Sequence, residues 1–310
     1  MHPEAVVDKA IYNGGPILIA LAICLIGECT VAFYTVILPY HWLGSPLAGH
    51  HFPLAPVQNP RFLTFVNLLH LAFTLLVVCN IAFNYAMAIR TNPGVPLAVL
   101  EEGVEKRCKK CGGPKPERTH HCSVCNRCIQ RFDHHCPWIH NCVGHHNHRY
   151  FIVFMVYLCF AAIYFVVLGF GPFFLALDFV GSSWPYLFSR SLYCFNLVLA
   201  CAMALAVGTM GGWHVYLTLT GQTTVEFYEN SYDKEVAKEH GEMFVNPYDL
   251  GVKANLRTFL NVCDAYPWWY VLLPIPVPPK GDGKTWDRRA VPSRHRGLSS
   301  GLYPPPLARV

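Results

Sequence analysis

Long apolar runs dominate the chain; two short polar stretches and one long one separate them, and a second long one follows the last. Four runs reach the roughly 20 residues needed to cross a bilayer as a helix: about Pro16–Leu38, Phe62–Ile89, Tyr150–Leu177 and Leu192–Leu219. This pattern predicts an all-α integral membrane protein with four transmembrane helices. The first run is too long for a signal peptide, only Lys9 precedes it as a base, and no small-residue cleavage site follows.

The basic residues orient the spans. Of 24 Lys and Arg residues, ten fall within 90–150 and eleven after 219, whereas 39–61 holds only Arg61 and 178–191 only Arg190. Excess Lys and Arg mark cytosolic loops. The expected layout is therefore a cytosolic N-terminus (1–15) and spans 1 and 2 (16–89), with 39–61 on the lumenal side. A cytosolic domain (90–149) follows, then spans 3 and 4 (150–219), with 178–191 lumenal. The C-terminal segment (220–279) is cytosolic, and the tail 280–310, rich in Gly, Pro, Ser and Arg, is expected to be mostly disordered.

Polar residues inside the runs, namely Glu28, Asn67, His70, Asn80, Asn84 and Asn196, predict interior-facing groups, because polar atoms in hydrocarbon need partners. Scattered span cysteines such as Cys24, Cys79 and Cys201 read as small apolar packing residues. The stretch YPWWYVLLPIPVPP combines aromatic, aliphatic and proline residues, as an interfacial anchor does.

Composition sharpens the picture at one place. The chain is 53% hydrophobic and only 14% charged, with a mean hydropathy of +0.28. Seven of its fourteen cysteines lie between Cys108 and Cys142, and eight of its sixteen histidines between His120 and His148. Disulfides rarely persist in the reducing cytosol, so this cluster reads as metal binding or thiol chemistry. The cysteine pairs Cys108/Cys111, Cys122/Cys125 and Cys125/Cys128 all have C-x2-C spacing. Such pairs meet one tetrahedral zinc, and two pairs complete a structural site. The count implies two zincs and eight protein ligands. Either all seven cysteines ligate with one histidine, or two Cys3His sites leave one thiol spare.

Cys136 is the thiol that local chemistry singles out. It follows Asp133, His134 and His135 and precedes Pro137-Trp138, close to where the third span begins. A thiol is mostly protonated near neutral pH and needs a base or a lowered pKa to act as a nucleophile. His134 and His135 are adjacent, so in an extended segment one ring can face a zinc and the other the thiol. Basic residues frame the loop, among them Lys109, Lys110, Arg118 and Arg131. Tethered between membrane spans, they suit anionic headgroups or a phosphate-bearing substrate better than nucleic acid.

The stretch CKKCGGPKPERTHHCSVCNRCIQRFDHHCPWIHNCVGHHNHRYF resembles the cysteine-rich domain of the DHHC protein S-acyltransferases (palmitoyltransferases). Thr223-Thr224-Val225-Glu226 matches that family's TTxE motif, and NPYDLGVKAN resembles its C-terminal motif, with Asn255 at the asparagine position. The resemblance covers roughly residues 10–270. It implies one zinc site from Cys108, Cys111, His121 and Cys128 and a second from Cys122, Cys125, His135 and Cys142. It further implies Cys136 as nucleophile, His134 as its base and Asp133 as the group orienting that imidazole. Thr224 is expected to contact Asp133, Glu226 to support the motif, and Asn255 to be structural. His120 and His140 are left as surface or supporting residues.

The implied reaction moves a long-chain acyl group from palmitoyl-CoA to Cys136, and then to a cysteine of a cytosolic-face or membrane-anchored protein. The acyl chain is expected in a cavity within the bundle, with Ala161 and Ala162 leaving room for its end. Lys109, Lys110, Arg118 and Arg131 are candidate contacts for the CoA phosphates. The family resemblance places the protein in endoplasmic reticulum or Golgi membranes. A membrane-anchored zinc scaffold, or an inactive relative that recruits partners, is the competing reading. A zinc hydrolase is disfavoured because it needs an open metal position.

Overall fold

The computed structural model describes residues 3–42, 60–96, 106–178 and 184–289. Residues 43–59 and 179–183 of the two connections expected on the lumenal side, and the tail from residue 290, lie outside the described residues. Among the described residues four helical segments are long and apolar enough to cross a bilayer: Glu4–Trp42, Phe65–Arg90, His148–Leu177 and Arg190–Leu219. The first comprises α1 (Pro3–Ala32), a π-helical turn (Phe33–Ile37) and α2 (Leu38–Trp42). The others are α3 (Pro60–Arg90), α4 (His148–Leu177) and α5 (Arg190–Leu219). Many large apolar side chains on these helices are exposed, including Ile17, Leu68, Val167 and Leu205. Lipid supplies the environment that a soluble core would otherwise supply.

A 30-residue helix such as α4 is ~45 Å long at 1.5 Å per residue, more than the ~30 Å hydrocarbon layer. The helix ends therefore stand clear of the lipid and carry the rest of the fold. Arg149, at the start of α4, donates to the carbonyls of Leu260 and Tyr270 (2.9 Å to Tyr270). The Tyr150 hydroxyl donates to Val277 O (3.0 Å) and accepts from Val277 N (2.9 Å). These bonds fasten the C-terminal segment to the third span. Within the bundle, Asn84 and Asn80 hydrogen-bond along α3, and Asn80 also reaches Leu272 O (3.2 Å).

The domain between α3 and α4 is built from two short antiparallel hairpins, so the chain is mostly helical rather than wholly so. The first pairs β1 (His120–Cys122) with β2 (Arg127–Ile129), with His121 opposite Cys128. The second pairs β3 (His134–Cys136) with β4 (Asn141–Val143), with His135 opposite Cys142. Asn141 donates to the Ala88, Ile89 and Thr91 carbonyls (3.2, 3.2 and 3.0 Å) and so closes the C-terminus of α3 onto the second hairpin.

After α5, a capping box starts α6 (Thr224–Glu239): Thr223 N–H donates to Glu226 and the Thr223 side chain accepts from Glu226 N–H. Then α7 (Val252–Phe259) follows. Asn255 links these elements, donating to Leu219 O (2.8 Å) and Asp249 (2.7 Å) and accepting from Leu250 N (3.0 Å). In the anchor-like stretch, Trp268, Trp269 and Leu272 are exposed on a 3-10 turn.

Two boundaries differ from the sequence reading. Residues 3–15, expected as a separate N-terminal segment, are helical and continuous with the first span. Tyr12 lies against His140, with ring centroids 4.8 Å apart. Residues 280–289, expected to be disordered with the rest of the tail, are ordered across the cysteine-rich domain. Arg288 pairs with Glu117, and the Arg118 guanidinium lies 4.8 Å from the Trp286 ring. Aromatic and ionic contacts there outweigh the loop-like composition.

Candidate active site and metal groups

The period of a strand explains how two hairpins serve three groups of residues. Adjacent strand residues point to opposite faces and alternate residues to the same face. On β1, His121 joins Cys108, Cys111 and Cys128, while Cys122 turns to Cys125, His135 and Cys142. On β3, His135 faces that second set, which leaves His134 and Cys136 together on the other side.

Within each set of four, the candidate ligand atoms lie within 4.8 Å of one another. Cys111 Sγ is 3.6 Å from Cys128 Sγ, and Cys142 Sγ is 3.5 Å from Cys125 Sγ. His135 Nδ1 lies 3.3 Å from Cys125 Sγ and 3.6 Å from Cys142 Sγ. A tetrahedral zinc with ~2.3 Å bonds to sulfur sets such edges at ~3.8 Å. Both sets therefore fit a closed, four-coordinate metal ion.

Cys136 is buried. Asp133, also buried, accepts His134 Nδ1–H (2.6 Å) and the hydroxyl of Thr224 (3.0 Å) on Oδ2, and Thr224 N–H (2.8 Å) on Oδ1. Burial alone would raise the Asp133 pKa, but the hydrogen bond from His134 and the surrounding imidazoles hold it well below the usual carboxylate range. Burial likewise opposes a charge on His134. The Asp133 hydrogen bond and the neighbouring Cys136 thiol overcome that and lift the imidazole to about 10. His134 Nε2 is buried with no hydrogen-bond partner. An imidazolium beside a thiol, held by a carboxylate, can stabilise a thiolate and exchange a proton.

The motif's other acid has a separate task. Glu226 receives Arg118 Nε (2.5 Å) and Nη2 (2.6 Å) in a buried bidentate pair. This pair ties the cysteine-rich domain to α6 and so carries Thr224 to Asp133. Arg118 is thereby removed from the candidate CoA contacts. Arg131 is removed as well: it is fully buried, with its guanidinium carbon 4.4 Å from the Phe259 ring. A basic side chain reads the same in sequence whether it faces water or a distant partner. Lys109 and Lys110 are exposed.

Sequence reasoning passed over His214. Its Nδ1 is 3.9 Å from Asp133 Oδ2, and its ring is 5.5 Å from that of His134 and 5.1 Å from that of Phe151. Asp133, His134 and His214 also form a possible metal group. Three donors already occupy the Asp133 carboxylate, however, which favours a hydrogen-bonded network over a ligand set. A lone histidine near the end of an apolar run was the only signal available.

Cys136 also lines an apolar cavity of about 360 Å³ whose wall includes residues of all four spans. Its wall on α4 runs from Phe151 through Ala161 and Ala162 to Phe165, a distance of ~21 Å at 1.5 Å per residue. Tyr34 and Thr74, hydrogen-bonded at 3.2 Å, line it too.

Residues 101–231 match the family model for DHHC palmitoyltransferases. The chain is 34% identical over 293 residues to palmitoyltransferase ZDHHC16 of Mus musculus, covering 91% of this chain and 76% of that protein. It is 33% identical over 312 residues to palmitoyltransferase ZDHHC16B of Danio rerio, covering 88% and 77%. With the probable protein S-acyltransferase 16 of Arabidopsis thaliana it shares 37% identity over 207 residues, covering 61% and 71%. Together with a cavity-lining thiol beside an imidazole–carboxylate pair, these likenesses establish that the chain belongs to the DHHC palmitoyltransferase family.

Proposed function

We propose that this protein S-palmitoyltransferase works through an acyl-enzyme on Cys136, in two balanced stages. In the first, the Cys136 thiolate attacks the thioester carbonyl of palmitoyl-CoA. The bond to the CoA sulfur breaks, and that sulfur takes the proton from the His134 imidazolium. In the second, neutral His134 accepts the proton of a substrate-protein cysteine, whose sulfur attacks the acyl-enzyme. Cys136 leaves as thiolate and the imidazolium is restored. Asp133 holds His134 throughout, and Thr224 holds Asp133.

The single observation that carries this reading is the position of Cys136, between the Asp133–His134 pair and the apolar cavity. A ~16-carbon chain spans ~19 Å when extended, from C–C bonds of ~1.5 Å, close to the cavity's length along α4. Each CH2 taken from water contributes about 0.8 kcal/mol, so the cavity draws in a long chain and leaves its carbonyl beside the thiol. Zinc is the ion that the two Cys3His sets fit best. Cys108, Cys111, His121 and Cys128 would hold one ion, and Cys122, Cys125, His135 and Cys142 the other. Both sites are closed, so their part is to hold the hairpins in place. Lys109 and Lys110, both exposed, are the candidate contacts for the CoA phosphates.

The distribution of basic residues supports cytosolic termini and a cytosolic cysteine-rich domain. Substrates are then cytosolic-face or membrane-anchored proteins with an accessible cysteine, and endoplasmic reticulum and Golgi membranes are the proposed location. The test is Cys136→Ser, followed by assays of bound zinc and of hydroxylamine-sensitive acyl label. Two zincs retained with no label is the expected result. Loss of zinc would make Cys136 a ligand and return the protein to the scaffold reading.

A further inference from the structure

The Asp133 carboxylate is approached twice by one continuous stretch of chain. Thr224, at the start of α6, gives it a backbone and a hydroxyl donor. Ten positions earlier, in the last turns of α5, His214 brings Nδ1 to 3.9 Å from Oδ2. His214 is buried, and among the described residues its Nδ1 has no hydrogen-bond partner. A buried polar group left unpaired is costly, and an apolar side chain would fill the same space without that cost.

Packing fixes this ring relative to the reacting pair. Its centroid lies 5.5 Å from that of His134 and 5.1 Å from that of Phe151. Phe151 in turn lies 5.3 Å from His134. Both Phe151 contacts are edge-on, at 81° to His214 and 68° to His134, and Phe151 lines the same cavity as Cys136. His148 is the next imidazole, but it is farther, with its ring 6.4 Å from that of His214, and it packs on Phe259 at 5.0 Å.

An ionised carboxylate offers about four acceptor positions, and His134 and Thr224 take three of them. Hydrogen bonds at reacting groups are often long in a substrate-free protein and tighten in the complex. A movement of about 1 Å would bring His214 Nδ1 to ordinary hydrogen-bond distance from Asp133. We propose that His214 is a positioning residue for acyl transfer at Cys136: its Nδ1–H is the fourth donor to Asp133, and with Phe151 it keeps the Asp133–His134 pair aimed at the thiol. This role rests on the acyl-enzyme chemistry proposed for Cys136. His214 exchanges no proton with the substrates; it acts through the carboxylate.

The test uses the full, metal-loaded chain in lipid nanodiscs and reads single-turnover acylation of Cys136 across palmitoyl-CoA concentrations, with bound metal as the control for folding. His214→Phe keeps a ring and removes the donor. It should slow the maximal rate about ten- to hundredfold, with the half-saturating concentration unchanged and both metals retained. His214→Asn places an amide N–H where Nδ1 stood and should recover most of that rate. His214→Leu, also without a donor, replaces His214→Phe should the larger ring expel metal. A donor-free variant at the wild-type rate, or an asparagine variant no faster than it, would overturn the positioning role. So would a defect confined to the half-saturating concentration, or metal loss in both donor-free variants. A wild-type chain that forms no hydroxylamine-sensitive label at Cys136 would instead overturn the acyl-enzyme reading itself, and this role with it.

Discussion

The tripeptide His-His-Cys occurs twice, as β1 and as β3, each opposite a strand that presents a cysteine to the middle histidine. His121 and His135 do the same work in the two hairpins, but the flanking residues diverge. Cys122 is drawn into the second metal group, whereas Cys136 belongs to neither. His120 is followed by the same residues as His134, yet burial, with Lys115 and Arg118 nearby, pushes it down to about 4, while His134 rises to about 10. The residue before each strand accounts for this: Thr119 in one case, Asp133 in the other. One carboxylate sets the imidazoles of two like hairpins apart.

The largest contrast comes from exchanging each cysteine for serine. Cys122→Ser should release metal and unfold the cysteine-rich domain, because structural zinc contributes on the order of 10 kcal/mol to folding; metal content and protease resistance measure it. Cys136→Ser should keep both metals and lose all acyl label. Next, His134→Ala should slow autoacylation by ~10²- to 10⁴-fold, against little change for His120→Ala in the same single-turnover assay. Equal effects would erase the distinction between the hairpins.

The two imidazoles should also leave opposite marks on stability. His134, raised above the ordinary ~6.5, contributes stability that is full below that value and is lost as pH climbs through about 10. His120, depressed, costs stability as pH falls from ~6.5 toward about 4. Denaturant melts across pH should lose the alkaline slope in His134→Gln and part of the acid slope in His120→Gln. Thr224→Val removes one hydroxyl donor from Asp133 and should slow acylation about tenfold, with metal retained. The smallest effect is expected from Ala161→Phe in the cavity: preference in a competition between acyl-CoAs should move toward shorter chains, with the rate for the favoured chain little changed.

Local chemistry was legible in the sequence wherever partners lie within a few residues. The C-x2-C pairs, the Asp133–His134 neighbourhood and the apolar spans are of this kind. Long-range pairing was not. Arg118 is separated from Glu226 by 108 positions, and as a member of a basic run it looked solvent-facing. Arg131 was misplaced for the same reason. The order of residues 280–289 depends on Trp286 and Arg288 meeting side chains of the 117–145 region, which composition does not encode. His214 reaches Asp133 only because α5 returns to the end of the bundle that carries the two hairpins.

The bond from Thr224 to Asp133 bridges 91 positions and crosses two membrane passages. During synthesis, both metal groups are complete once Cys142 has emerged, but the carboxylate gains its Thr224 donors only after the fourth span has been made. A half-inserted chain thus carries a folded domain whose reactive centre is unfinished. On the proposed mechanism, the order of assembly itself keeps the thiol from being armed before its cavity exists.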